Sequence, residues 1–422
     1  MRVFLKQLGP GLLWAATAIG VSHLVQSTRA GADAGFGLAG VIALALVLKY
    51  PFFEYGPRHA AATGESLVEG YHGVGRWALW LYIGITLSTA LIIQVAVVLF
   101  TAFVVGRALG VAWAPPVTAA LLVGFCAALL RVGRYRGLDL AIKVVLVLLA
   151  LSSLVAAGIV LPRIDPSTIA LWPAATAAVP FAFILALVGW MPSGVDVSVW
   201  SSLWTLARGR VVGQRASVPH ALLDFRIGYV GAAVTAFAFL SLGAGVMFQS
   251  GESFSPQGAV FSLQLVDLYA RTLGAWTRPL VLIAVVTTMF STALTVVDGF
   301  PRAIERALRV LAARGPAHGQ GDEGPIYWWS IVVLGVLTVL VLALFMGSLT
   351  AMVDFATIVS FLTAPLLGYL NLRVVTRPDF PAAARPGRAL LVLSYVGLVL
   401  LGGTAVVYLV SIIAGWLASN PA

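Results

Sequence analysis

The sequence predicts an all-α membrane protein of about 11 transmembrane helices, two of them broken near mid-bilayer. Three observations carry this. Of the 422 residues, 60% are hydrophobic and 10% charged, with a mean hydropathy of +0.99; a soluble domain carries roughly 25% charged residues. Apolar runs of about 20 residues, the length that crosses a bilayer, recur from end to end. Within the first and sixth of those runs sit clusters of glycine, proline and polar side chains.

The runs lie near 12–29, 36–55, 77–106, 116–131, 138–161, 174–204, 226–248, 278–300, 326–346, 350–373 and 389–414; they are helices one to eleven below. They leave no stretch for an independent soluble domain. The first run follows Met1-Arg-Val-Phe-Leu-Lys6. It lacks a small-residue cleavage motif and many spans follow it, so it reads as a retained helix and not a signal peptide.

The net charge of +10 is a matter of topology. With the N-terminus in the cytoplasm of a cell (inner) membrane, only Arg29, Arg107, Arg163, Arg271 and Arg278 of the 26 Lys and Arg fall outside. The rest count as cytoplasmic, among them Arg131, Arg134 and Arg136, then Arg302, Arg306, Arg309 and Arg314. This is the positive-inside rule, so the basic balance calls for no nucleic acid. The single cysteine, Cys126, lies in an apolar run and reads as a buried structural thiol, with no disulfide or thiolate cluster.

Two connections are long. Residues 249–277 read as an external loop with a short amphipathic helix, and 313–325 as a turn-rich cytoplasmic linker. Helix one holds Ala18-Ile-Gly-Val-Ser-His-Leu24, and helix six holds Leu187-Val-Gly-Trp-Met-Pro-Ser-Gly-Val-Asp196. Proline removes a donor and clashes with the preceding turn, and glycine adds freedom. Together they unwind a helix, and backbone groups freed at membrane depth must be satisfied by protein, water or ligand. Two interrupted spans, five apart, are what an inverted five-helix repeat predicts. Its substrate lies between the breaks, near the midplane. The repeats are placed at 1–161 and 174–373, with an additional helix at 389–414, in one transporter domain over 1–422.

Several segments resemble the Nramp-type (natural resistance-associated macrophage protein-like) metal-ion transporters, within the LeuT-fold superfamily. Gly9-Pro10-Gly11-Leu12-Leu13 is like the family's start of helix one, and Gly35-Phe36-Gly37 like its end. Ala62-Thr63-Gly64-Glu65-Ser66-Leu67-Val68-Glu69 resembles its V-T-G-x-x-L-A-E segment, and Gly189-Trp190-Met191-Pro192 the start of its helix-six M-P-H motif. The resemblance implies a LeuT-like 5+5 repeat and transport of a divalent transition metal of the Mn/Fe class. The first coordination shell departs from it: Gly20 and His23 stand where the family has Asp and Asn, Ser193 where it has His, and helix three lacks its acidic pair.

The candidate substrate site is therefore Gly20, Ser22, His23, Val188, Met191, Ser193 and Asp196, with His23, Met191 and Asp196 as candidate metal ligands. Gly20 and Val188 offer carbonyls, His23 an imidazole and Met191 a thioether, a set for a soft or borderline metal rather than Mg or Ca. Blander readings stand beside these: His23 bonded to a backbone carbonyl of the broken helix, Asp196 capping the second half-helix at its positive end. Ser291, Thr292 and Thr295 on helix eight are candidates for a coupling ion, or simply bond the carbonyl four residues back. Asp298 reads as a partner of Arg302, and Glu54 as the end of helix two.

Loss of the helix-one acid also opens a second function, H⁺- or Na⁺-coupled symport of a small organic solute such as an amino acid. A third is a non-transporting membrane sensor or scaffold. No phosphate-binding loop, H-E-x-x-H or nucleophile elbow suggests an enzyme, and no cofactor is implied. Partners are the bilayer, the transported ion or solute and, open on sequence alone, further copies of the chain.

Overall fold

In the computed structural model, residues 9–419 are described apart from 112, 133–135, 165–168, 173–178, 314–322 and 345–347, and without the side chains of 136–143 and 418. Arg134, Arg314, most of the 313–325 linker and the side chain of Arg136 lie outside the described residues.

Nine unbroken helices are long and apolar enough to cross a membrane among the described residues, and the broken first and sixth helices complete eleven. Helix one runs Pro10–Ala18, unwinds at Ile19 and Gly20, and resumes as a π-turn, Ser22–Ser27, leading into Thr28–Ala34. Helix six runs Phe181–Trp190 and resumes as Val197–Val212, with Met191 in extended backbone between them.

Helix two is longer than its apolar pattern implied. It spans Ala39–Thr63 through Pro51 and Pro57 and stops at Gly64, which adopts the left-handed conformation (φ 79°) of a helix C-terminus. Glu54 therefore does not end it. Glu54 is buried and bonds Tyr50, Arg58 and Arg226. Ser66 then caps a short helix, Leu67–Val74, through a reciprocal box with Glu69. The amphipathic helix after helix seven is present at Gly258–Leu273.

The helices fall into two packed groups. In one, the second half of helix six packs on helix two, and helix seven (Val218–Leu242) packs on helix two and the first half of helix one. In the other, helix eight (Arg278–Ala313) packs on helix three (Arg76–Leu109), and helix nine (Pro325–Leu344) on helix four (Pro115–Val132). Helix ten (Leu349–Val375) lies on the first half of helix six. Helix eleven (Arg388–Ser419) presents apolar side chains outward, with Val399 71% exposed, as lipid contact requires.

Candidate functional site

A cavity of about 40 Å³, room for roughly three waters, lies where the two breaks meet between the helix groups. Helix one contributes Thr17, Val21 and Ser22, and helix six Ser193, Gly194 and Asp196. Trp190, Trp200 and Phe300 form an aromatic wall, with Trp200 and Phe300 edge-to-face at 4.8 Å. Ile93 and Val97 of helix three and Thr292 of helix eight close the sides. The cavity is apolar along its walls and polar at the broken ends.

Asp196 is the charged group of this lining. It occupies the N-cap position of the second half-helix, yet its side chain makes no capping bond. Oδ1 accepts a long bond from Thr89 Oγ1 (3.5 Å), and buried Oδ2 has no partner. A carboxylate oxygen withdrawn from water and left unpaired is costly. Here it waits beside a cavity.

Lys49 of helix two meets the same break from behind. Fully buried, its Nζ donates to the carbonyls of Val188 (3.0 Å), Gly189 (2.8 Å) and Ser193 (2.7 Å). Its charge and that of Asp196 attract across the break. On sequence Lys49 counted among the cytoplasmic charges; the structure instead puts it in the protein interior. Its one sequence signal was a lysine inside an apolar run, a rare and costly placement that marks function.

The structure brings Ser22, Ser193, Asp196 and Thr292 to the cavity and leaves the other candidates off its wall. His23 turns away: Nε2 donates to the Ala232 carbonyl of helix seven (2.9 Å), and Nδ1 meets Ser22 Oγ (2.7 Å), so both ring nitrogens are engaged. The Ala232 carbonyl belongs to helix seven, and the ring also interacts with the Ala18 carbonyl of its own broken helix. Met191 is fully buried off the cavity wall. The Gly20 carbonyl already accepts from His23 N (3.1 Å) and Leu24 N (2.9 Å), and that of Val188 from Lys49. Of the helix-eight hydroxyls, Thr292 bonds the Thr288 carbonyl (3.1 Å) and also reaches the Ala16 carbonyl of helix one (3.4 Å), and Thr295 bonds the carbonyl of Thr292 (2.9 Å); Ser291 is buried off the wall. No group of three His, Cys, Asp or Glu is placed to hold a metal among the described residues. Asp298 does bond Arg302, together with Tyr327.

On the side bearing the end of helix one, Arg29 donates to both oxygens of Asp354 on helix ten (2.7 and 3.2 Å). Its guanidinium lies 4.6 Å from the Phe183 ring centroid. Gln26 reaches the same carboxylate (3.0 Å) and Thr357 (3.2 Å). This clasp joins helices one, six and ten.

Two helices broken face to face, flanked by helices three and eight, define the LeuT-type fold of secondary transporters, and solved structures share it. The Eremococcus coleocola manganese transporter superposes with a TM-score of 0.71 at 15% identity, covering 100% of this chain and 89% of that one. MhsT in complex with L-phenylalanine gives 0.59 at 13% identity over 96% of this chain and 98% of that one. Mhp1, a nucleobase-cation-symport-1 family transporter, gives 0.57 at 14% over 96% and 93%. No protein-family model matches the sequence. The chain belongs to the family of the uncharacterized protein PM0681 of Pasteurella multocida (strain Pm70), with 32% identity over 415 residues, 97% of this chain and 93% of that protein.

Proposed function

We propose that this protein is a secondary-active transporter that carries a small organic solute with an N–H donor, such as an amine or amino acid, by alternating access. The unpaired Asp196 Oδ2 at the cavity carries the reading. A carboxylate among aromatic walls suits an ammonium head with an apolar body, since ring faces also attract cations. The donor set serves a divalent metal less well. One carboxylate, offset by the Lys49 charge, offers little compensation for dehydrating such an ion.

A divalent transition metal of the Mn/Fe class is the second reading. It draws on the shared fold with a manganese transporter and requires His23 and Met191 to swing toward Asp196. Two inverted repeats over 1–161 and 174–373, an N-terminus in the cytoplasm and residence in the cell membrane complete the proposal. The positive-inside charge pattern supports the last two.

Calorimetric titration of purified protein with Mn²⁺, Cd²⁺ and Mg²⁺, then with an amine and amino-acid panel, separates the readings. Binding of an amine, weakened about tenfold to a hundredfold in Asp196→Asn as loss of a charged hydrogen bond demands, is the expected result. Mn²⁺ heat that disappears in His23→Ala would replace it with the metal reading.

A further inference from the structure

Lys49 has no part in holding the solute, yet a fully buried lysine within a span is a costly side chain. A lysine ammonium has three donors and no acceptor, and all three go to main-chain carbonyls that bracket the break: Val188 and Gly189 before it, Ser193 within it. Val188 and Gly189 lie in the last turn of the first half-helix, where carbonyls are short of intrahelical donors, Val188 keeping one from Met191 N (3.3 Å), and the helix dipole is negative. In broken-helix transporters such half-helix ends and unwound carbonyls are where the coupling cation sits. Here a side chain of the protein fills that position.

We propose that Lys49 is the coupling cation of this transporter, bound covalently to helix two, and that the ion it exchanges with solution is the proton. The proposal rests on the transporter reading. Protonated, Nζ ties Val188, Gly189 and Ser193 together and holds the break in the shape described. In the half-cycle that exposes the break to water, the ammonium gives one proton to water and becomes a neutral amine. That amine has two N–H groups and a lone pair, so at least one of the three carbonyls loses its donor and the lone pair faces carbonyl oxygen. The break loosens, and Nζ takes up a proton from the opposite side in the returning half-cycle.

The surroundings isolate this equilibrium. Asp196 of helix six is the charge that acts on Lys49. Glu54 on its own helix is committed to Arg58 and to Arg226 of helix seven. Asp354 of helix ten is held by Arg29, and Glu69 of the short helix by Arg306. Helix seven further presents Tyr229, whose hydroxyl donates to the Leu46 carbonyl (2.5 Å), and helix ten the neutral Asn371. Helix eleven presents Ser394, hydrogen-bonded to Tyr55 (2.6 Å).

The test needs no substrate. In a Cys126→Ser background, Val97→Cys places one thiol on the cavity wall, and a water-soluble maleimide reports how often the cavity opens. Rates are compared at equal pH among Lys49, Lys49→Arg (permanently charged) and Lys49→Met (never charged), so thiolate chemistry cancels. The protein with Lys49 is expected to label like Lys49→Arg at the acid end of the range and to move toward Lys49→Met as pH rises, the ratio changing by up to about tenfold per pH unit for one proton. If Lys49→Met does not fold, departure of the lysine protein from Lys49→Arg with rising pH is the readout. Labelling that follows Lys49→Arg at every pH, or is equal in all three, overturns the proposal. A crossover in a protein that accumulates no solute in liposomes would leave the Lys49 switch standing and remove the transport reading instead.

Discussion

Gly20 shows how much a single missing side chain decides at the helix-one break. A Cβ there would lie 2.4 Å from Thr292 Oγ1 and 2.9 Å from its Cγ2. Gly20→Ala should therefore lower the melting temperature in detergent, by an overpacking cost of about 1–3 kcal/mol. Adding Thr292→Ala, which removes both offending atoms, should restore most of it. A Gly20→Ala protein as stable as the parent would show that helices one and eight do not meet there. Asn371 makes the opposite point, a polar side chain buried at no loss. It donates to the Phe52 carbonyl (2.9 Å) and Ser198 Oγ (2.8 Å) and accepts from Tyr71 (2.5 Å), joining helices two, six and ten to the short helix. The break residues were legible in the sequence because glycine and proline announce themselves in an apolar run. Asp196 was legible as a carboxylate at membrane depth. Lys49 was not, because a lysine near a predicted helix end also reads as a topology charge, and helix two proved to run about two turns beyond the end of its hydrophobic pattern. Which way His23 and Met191 turn depends on neighbours brought in from distant parts of the chain, and no local pattern encodes that.

Among the elements, the short helix Leu67–Val74 does more than connect helices two and three. Glu69 closes the capping box on Ser66 and also pairs with Arg306 of helix eight (2.5 Å), with both side chains almost wholly buried. Leu67 N donates to Ser202 Oγ of helix six (3.1 Å). The resemblance segment ending at Glu69 thus marks a junction of helices two, six and eight. Removing one partner of a buried ion pair costs about 3–5 kcal/mol, so Arg306→Ala should destabilise the protein strongly in a thermal melt. Arg306→Lys should recover only part, since a point charge replaces a planar fork. The amphipathic helix Gly258–Leu273 is held more weakly. Arg271 bonds both oxygens of Glu252 (2.8 and 2.9 Å) and holds that carboxyl below its ordinary value of 4.5. A carboxyl so lowered adds stability above pH 4.5 and loses it as pH falls through its folded value. Proteolytic nicking within 251–257 should accordingly rise below pH 4.5, and Glu252→Gln should abolish that dependence.

For the whole molecule, the two helix groups meet at the cavity, and the Arg29–Asp354 clasp ties helix ten to the end of helix one. Alternating access rocks one group against the other, and a contact between helices that move apart in that motion has to open and reform. Arg29→Ala should broaden the distance distribution between spin labels at Ala34 and Ala351 on the two clasped helices, whereas the parent should give one narrow distance. An unchanged distribution would assign the clasp to folding alone. This arrangement of groups follows from the sequence only as far as two interrupted helices five spans apart imply it. The clasp itself joins residues 325 positions distant, and neither charge stands out among the others at helix ends.

The lysine bound at the helix-six break has a consequence for where such a protein can operate. A cation drawn from the medium is present in proportion to its supply, so a sodium-dependent carrier fails in fresh water or acid soil poor in that salt. A cation that is part of the chain is always present at one per molecule, whatever the surroundings contain. On the Lys49 proposal, transport by this protein would accordingly not depend on the sodium content of the medium.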